Sequence, residues 1–144
     1  MKKNLTLFLL LSTLTLFAQS NQFQMDGFFE DWQNIDFIEK EANPSTGIDL
    51  VELSASNDDK YLYLRIKVDR EILFQQSELR VWIDTDNNAS TGSQIRNIGY
   101  ELYYHFGQRS GNLFGQNIGH FDIGLVSMPT YSGEEFEVRI KRQG

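Results

Sequence analysis

Apolar and polar side chains alternate along most of the chain from residue 23 onward, with a period of two rather than 3.6. This alternation predicts antiparallel strands that bury one face and expose the other. Six strands are expected, with the following apolar residues: Val51, Leu53 and Ala55; Leu62, Leu64, Ile66 and Val68; Leu79, Val81 and Ile83; Tyr100, Leu102, Tyr104 and Phe106; Phe121, Ile123 and Leu125; Phe136, Val138 and Ile140. Since no long amphipathic helix appears, the pattern predicts an all-β fold, a two-layer antiparallel β-sandwich of jelly-roll type.

The segments between these strands contain residue patterns that predict their conformation. The cluster Asn57-Asp58-Asp59-Lys60 predicts a hairpin, because Asp and Asn favour turns. Residues 71–76 predict a short helical or irregular segment. The last strand ends near Lys141, three residues before the end of the printed sequence. A domain seldom stops so abruptly, so we expect a sandwich that is incomplete at its C-terminus and continues into a longer protein.

The first 18 residues follow a different pattern. Lys2 and Lys3 precede an apolar run over residues 5–17, and Ala18 supplies a small residue before a cleavage point. This arrangement predicts a secretory signal peptide over residues 1–18, with a mature domain over residues 19–144. The run is too short and too rich in hydroxyls for a membrane span. We therefore expect a protein that is secreted and extracellular or held at the cell surface, with no membrane span.

The amino-acid composition excludes several classes of functional site and partner. The 144 residues include no cysteine, and 20 acidic against 13 basic residues give a formal net charge of −7. The lack of cysteine excludes disulfide scaffolds, thiolate zinc sites and cysteine nucleophiles. The acidic balance argues against nucleic acid as a partner. No serine-hydrolase elbow, phosphate-binding glycine loop or H-E-x-x-H motif occurs, so we expect no enzyme activity and no catalytic residue in this segment.

The densest polar segment is Asp84-Thr85-Asp86-Asn87-Asn88-Ala89-Ser90-Thr91-Gly92. Asp84, Asp86 and Asn88 place oxygen atoms at alternate positions, which suits calcium because this ion takes about six to eight oxygen ligands. Glu101, on the next predicted strand, is the nearest source of a further carboxylate. The alternative is a metal-free turn in which Asp and Asn side chains cap their own backbone. Both interpretations stay open.

Four aromatic residues lie at the polar positions of their strands: Trp82, Tyr61, Tyr63 and Tyr103. Exposed flat rings offer an apolar surface to the C–H faces of sugars, so these residues predict a binding surface for a polysaccharide or glycan. The alternative is that a loop or a second layer covers the outer face of the sheet. Trp32 is expected to be buried at the edge of the sandwich.

Several motifs occur in the order found in one known family. They are Asp26-Gly27-x-x-x-Asp31-Trp32, Ala55-x-Asn57-Asp58-x-x-Tyr61-Leu62-Tyr63-Leu64, Val81-x-Ile83-Asp84-Thr85-Asp86-Asn87-Asn88-x-x-Thr91-Gly92, and Ile98-Gly99-Tyr100-Glu101. Over residues 25–141 the chain resembles the family-9-like carbohydrate-binding β-sandwiches of secreted bacterial proteins, which are related to the DOMON-like fold. The resemblance implies a two-sheet antiparallel sandwich with a calcium-stabilised turn at Asp84–Asn88. Sugar-binding members use a pair of tryptophans, so the resemblance implies that a tyrosine takes the second place beside Trp82.

These observations favour a secreted, non-catalytic carbohydrate-binding module that forms the N-terminal part of a longer protein. An alternative is a structural or spacer domain attached to a secreted hydrolase of the nuclease or phosphatase type, without sugar binding of its own. A third hypothesis, a DOMON-like haem binder, requires His105 or His120 to pair with Met128 as axial ligands.

Overall fold

The computed structural model describes residues 23–40 and 48–142. The predicted signal peptide over residues 1–18 lies outside the described residues. Within them the chain forms eleven strands: β1 (Phe37–Lys40), β2 (Leu50–Asn57), β3 (Tyr61–Leu73), β4 (Arg80–Ile83), β5 (Ser93–Ile95), β6 (Ile98–Tyr100), β7 (Leu102–His105), β8 (Ser110–Leu113), β9 (Gln116–Gly119), β10 (Val126–Met128) and β11 (Ser132–Lys141). The helical elements of the described ranges are two short 3-10 turns, Glu30–Trp32 and Phe74–Gln76. None of the helices in these ranges is long and apolar enough to cross a membrane.

The strands form antiparallel sheets. One sheet has five strands in the order β1-β2-β3-β11-β10, a second has four in the order β4-β7-β8-β9, and β5 pairs with β6 as a separate ribbon. Neighbouring strands run antiparallel throughout these three sheets. The predicted all-β, sandwich-like fold class is confirmed.

The core joins the inward faces of the two larger sheets. Leu64 and Ile66 of β3 and Phe136 of β11 belong to the same buried cluster as Leu102 and Tyr104 of β7. Alternation along β3 and β11 therefore identifies the inward faces of these strands correctly. The predicted hairpin is also present, because the β2–β3 register pairs Asn57 with Leu62.

Residues 23–36 cover the outer face of the five-stranded sheet. Phe23 and Trp32 are buried there with Tyr63 of β3, and the ring centroids of Phe23 and Trp32 lie 4.5 Å apart. The indole Nε1 of Trp32 donates a hydrogen bond to Glu137 Oε1 on β11 at 3.1 Å. Trp32 is buried as predicted, but it lies on the outer face of a sheet rather than at the edge of the sandwich.

Three predicted elements need correction. The strand expected from Tyr100 to Phe106 is two strands, because β6 ends at Tyr100 and β7 begins at Leu102. The segment from Phe121 to Leu125 is a turn, in which the N–H of Gly124 donates to the carbonyl of Phe121, and the strand begins only at Val126. Gly124 has a φ of +53°, which a strand does not permit. The predicted irregular segment at 71–76 is also shorter than expected, because β3 continues through Leu73 before the 3-10 turn.

Candidate functional site

The outer face of the four-stranded sheet carries a row of side chains, one from each strand. Cross-strand pairing joins Trp82 to Tyr103, Tyr103 to Asn112, and Asn112 to Asn117. The Trp82 and Tyr103 ring centroids are 5.5 Å apart with a tilt of 40°, and both rings are half-buried. We call these four residues the aromatic–amide row. It brings together two of the four predicted aromatic residues.

The other two predicted aromatic residues lie on the opposite side of the molecule, on the outer face of the five-stranded sheet. Tyr63 is only 2% exposed, so the prediction that it offers a ring to a ligand is wrong. Its hydroxyl donates to Asp58 Oδ2 at 2.9 Å, and burial together with this contact raises the pKa of Tyr63 to about 12. Tyr61 packs against Tyr63 and beneath the Arg139 guanidinium, which lies 4.4 Å from its ring centroid.

Three of the predicted metal ligands come together at one end of the four-stranded sheet. Asp84 follows β4, Asp86 lies in the next turn, and Glu101 sits between β6 and β7. Each offers a carboxylate oxygen, and these oxygens lie within 4.8 Å of one another. The main chain fixes Glu101 in this position, because its N–H donates to the Ile83 carbonyl at 3.2 Å. We call Asp84, Asp86 and Glu101 the acidic triad.

Asn88, the fourth predicted ligand, has a different role in the described geometry. Its side-chain Oδ1 accepts a hydrogen bond from the Ser90 N–H at 3.1 Å. Its own N–H donates to Asp84 Oδ1 at 3.1 Å and to Asp86 Oδ1 at 2.9 Å. Asn88 therefore connects the two aspartates through its main chain while its amide oxygen is engaged within the turn.

The segment Thr91-Gly92 closes the loop over the triad. The Thr91 hydroxyl donates to Asp86 Oδ2 at 2.8 Å. Gly92 has a φ of +63°, and a Cβ at this position would lie 2.5 Å from Glu101 Oε1. The same Cβ would lie 2.4 Å from the main-chain carbonyl oxygen of Tyr100, which cannot move aside, so the loop can pass this close only with glycine.

The two oxygens of Glu101 have unequal environments. Oε2 accepts hydrogen bonds from the Thr85 N–H at 2.9 Å and from the Thr85 hydroxyl at 3.1 Å. Oε1 is buried and has no hydrogen-bond partner among the described residues, and Glu101 as a whole is 7% exposed. A buried carboxylate oxygen without a donor is unfavourable, so this atom is the one most in need of a cation.

A cavity of about 350 Å³ adjoins the acidic triad. Asp86, Glu101 and Asn112 are among its lining residues. Because Asn112 also belongs to the aromatic–amide row, the triad and the row are neighbours on the same side of the molecule.

His105 does not match the arrangement required for a haem with Met128. The sheet register places His105 on the outer face of the four-stranded sheet beside Tyr103, and Met128 on the outer face of the five-stranded sheet opposite Glu137. Stacked sheets lie roughly 10 Å apart, so this pair cannot ligate one iron. His120 Nε2 accepts a hydrogen bond from Arg109 Nη2 at 2.7 Å.

The sequence-based prediction missed Asn112 and Asn117 because β8 and β9 lack a clear alternation. Gly111 and Asn112 are poor strand formers, and the outward residues of both strands are polar. Phe114 and Gly115 both have positive φ (50° and 82°) and form the two-residue turn between β8 and β9. The glycine at position 115 was the sequence signal for this tight hairpin.

Comparison with known proteins gave no match: no family model, no curated protein and no solved structure matches the chain.

Proposed function

We propose that this chain is a secreted, non-catalytic carbohydrate-binding module whose binding face is the outer face of the four-stranded sheet. The observation that carries the proposal is the aromatic–amide row, in which the Trp82 and Tyr103 rings lie 5.5 Å apart and Asn112 and Asn117 continue the line across the sheet. Family-9-like membership is part of the same proposal and is supported by the order of the motifs.

The chemistry of the row suits a sugar chain. Two neighbouring rings supply apolar area for pyranose C–H faces with little loss of side-chain entropy. Each asparagine amide provides both donors and an acceptor for hydroxyl groups. A row spanning four strands at about 4.8 Å spacing is roughly 14 Å long, which suits an extended saccharide rather than a single sugar.

Calcium at the acidic triad is the second part of the proposal. Three carboxylates within 4.8 Å repel one another unless a cation neutralises them. The unpartnered Glu101 Oε1 supports a cation at this position. Carboxylate oxygens suit calcium, and main-chain carbonyls or water would complete the usual coordination of about six to eight oxygens. The ion would hold the loop from Asp84 to Gly92 against the edge of the row.

Affinity electrophoresis in gels containing soluble cell-wall and plant polysaccharides tests the binding face. The native protein should be retarded by at least one polysaccharide. Trp82→Ala should weaken binding at least about tenfold, because a stacked aromatic anchor contributes more than about 1.4 kcal/mol. Tyr103→Ala should have a similar effect.

The matched control is Tyr131→Ala. Tyr131 is 68% exposed and lies in the turn before β11, away from the row. Its removal should leave retardation unchanged. Absence of binding across the panel would contradict the proposal and favour the spacer-domain alternative. Equal loss in all three variants would contradict the aromatic–amide row as the binding face.

A further inference from the structure

A second cavity, distinct from the aromatic–amide row, opens at the other end of the sandwich. Its volume is about 230 Å³, and its walls include Phe74, Tyr104 and Phe106. These three side chains are almost fully buried, with exposures of 1–3%. The cavity is smaller than the roughly 300–1,000 Å³ typical of drug-sized ligands, so it suits a small molecule with an apolar body.

Polar groups at the mouth of this cavity form a connected chain. Gln75 Nε2 donates to the Thr130 carbonyl at 3.2 Å, and Gln75 Oε1 accepts from Arg109 Nη1 at 3.2 Å. Arg109 Nη2 donates to His120 Nε2 at 2.7 Å. Gln75 and His120 therefore hold the guanidinium from two sides, which fixes its position over an apolar cavity.

The charge on Arg109 has no acidic partner. No carboxylate within residues 23–40 and 48–142 forms an ion pair with it, although the protein carries a net charge of −7. Its hydrogen bonds go to a neutral amide and to an imidazole nitrogen, which leaves further N–H donors free. The charge also reaches into the cavity: burial raises the pKa of Tyr104, and Arg109 opposes this rise.

The turn that carries Arg109 is held in a fixed conformation. Arg109 has a φ of +54°, in the left-handed region that side chains other than glycine seldom adopt. Its N–H donates to the Phe106 carbonyl at 3.1 Å. Gly107 lies so close to Ser77 that an added Cβ would sit 2.1 Å from the Ser77 carbonyl oxygen. Backbone strain of this kind persists where surrounding contacts enforce it, and it is frequent at ligand sites.

We propose that this cavity binds a small carboxylic acid with an apolar body, which places its carboxylate on Arg109 and its apolar body against the half-buried side chains of Leu125 and Val126. A guanidinium pairs with a carboxylate through two parallel hydrogen bonds, and the exposed Arg109 can offer them at the mouth of the cavity. The apolar walls favour an apolar body over a polyhydroxylated one, which would find few partners there. This site is independent of the sugar-binding face.

Titration of the purified protein with benzoate, followed by NMR, tests the proposal. Benzoate should bind saturably, with nuclear Overhauser contacts to the side chains of Leu125 and Val126. Benzamide, which has the same shape but no charge, should bind at least about tenfold more weakly. Because this comparison uses only the native protein, it does not depend on how a variant folds.

Arg109→Gln should weaken benzoate binding at least about tenfold. Arg96→Gln is the matched control, since Arg96 is also an exposed arginine with positive φ (47°) in a hairpin turn. The proposal is overturned if benzoate gives no saturable binding up to about 10 mM. It is equally overturned if benzamide or Arg109→Gln matches the native affinity for benzoate.

Discussion

Glu137 is fully buried on the outer face of the five-stranded sheet. Its Oε1 accepts a hydrogen bond from Trp32 Nε1 at 3.1 Å, and its Oε2 accepts one from the Gly27 N–H at 3.2 Å. Burial raises the pKa of Glu137, and these two hydrogen bonds only partly oppose the rise. One carboxylate thus attaches the N-terminal segment to the sheet, at the cost of being ionised away from water.

This environment predicts a specific pH dependence. A carboxyl with a raised folded-state pKa stabilises the fold fully below its ordinary pKa of 4.5, and the contribution is lost as pH rises through the folded-state value. Relative to Glu137→Gln, the native protein should therefore lose free energy of unfolding as the pH rises above 4.5. Each tenfold change in the acidity constant of the group is worth about 1.4 kcal/mol.

Urea unfolding of both proteins across this pH range measures the difference. Glu134→Gln serves as the control, because Glu134 is exposed on the same strand and its substitution should change the free energy of unfolding little. A difference between native protein and Glu137→Gln that is constant with pH, or that grows in favour of the native protein, would refute this role of Glu137.

At the scale of elements, the loop between β4 and β5 positions two of the three carboxylates of the acidic triad. Asp84 and Asp86 share the N–H of Asn88, and Asp86 also accepts from the Thr91 hydroxyl. These contacts shape the loop, but they leave Glu101 Oε1 without a donor. A bound ion would complete the arrangement that the loop has already assembled.

Calcium should therefore raise the melting temperature by several degrees relative to the same protein in chelator, because binding to the folded state alone adds stability. Asp86→Asn should abolish most of this rise. Asp36→Asn, at an exposed position before β1, should retain it. Identical melting curves with calcium and with chelator would leave the metal-free turn as the better description.

The sequence predicted strands well where the two faces of a strand differ sharply in polarity. Leu64 and Ile66 alternate with charged or hydroxyl-bearing residues, and β3 lies where expected. The same logic failed from Phe121 to Leu125, because Ile123 is buried from within a turn while Phe121 is 85% exposed. Apolar spacing alone does not distinguish a strand from a turn that inserts one side chain into the core.

For the candidate site, the sequence predicted the acidic triad correctly but not the burial of Tyr63. Asp84, Asp86 and Glu101 meet because the loop and the β4–β7 pairing are local in sequence. Tyr63 was misjudged because its cover, Phe23 and Trp32, comes from a remote segment. Alternation identifies the outward face of a strand, but it does not reveal what packs on that face.

At the scale of the whole molecule, the two outer faces differ in what covers them. The face of the five-stranded sheet is covered by residues 23–36, and its central Arg65 forms an ion pair with Glu135 and lies 3.5 Å from Glu52. The face of the four-stranded sheet carries Trp82 and Tyr103 half-buried beside two amides. This asymmetry is the basis for proposing the four-stranded sheet as the binding face.

Chemical-shift mapping with a soluble oligosaccharide of the best-retarding polysaccharide tests this assignment most directly. Recognition by the four-stranded sheet predicts saturable shifts at the amides of residues 82, 103, 112 and 117, with those of residues 61, 63 and 137 unchanged. Shifts centred on the five-stranded sheet, or none on either face at saturating ligand, would contradict it.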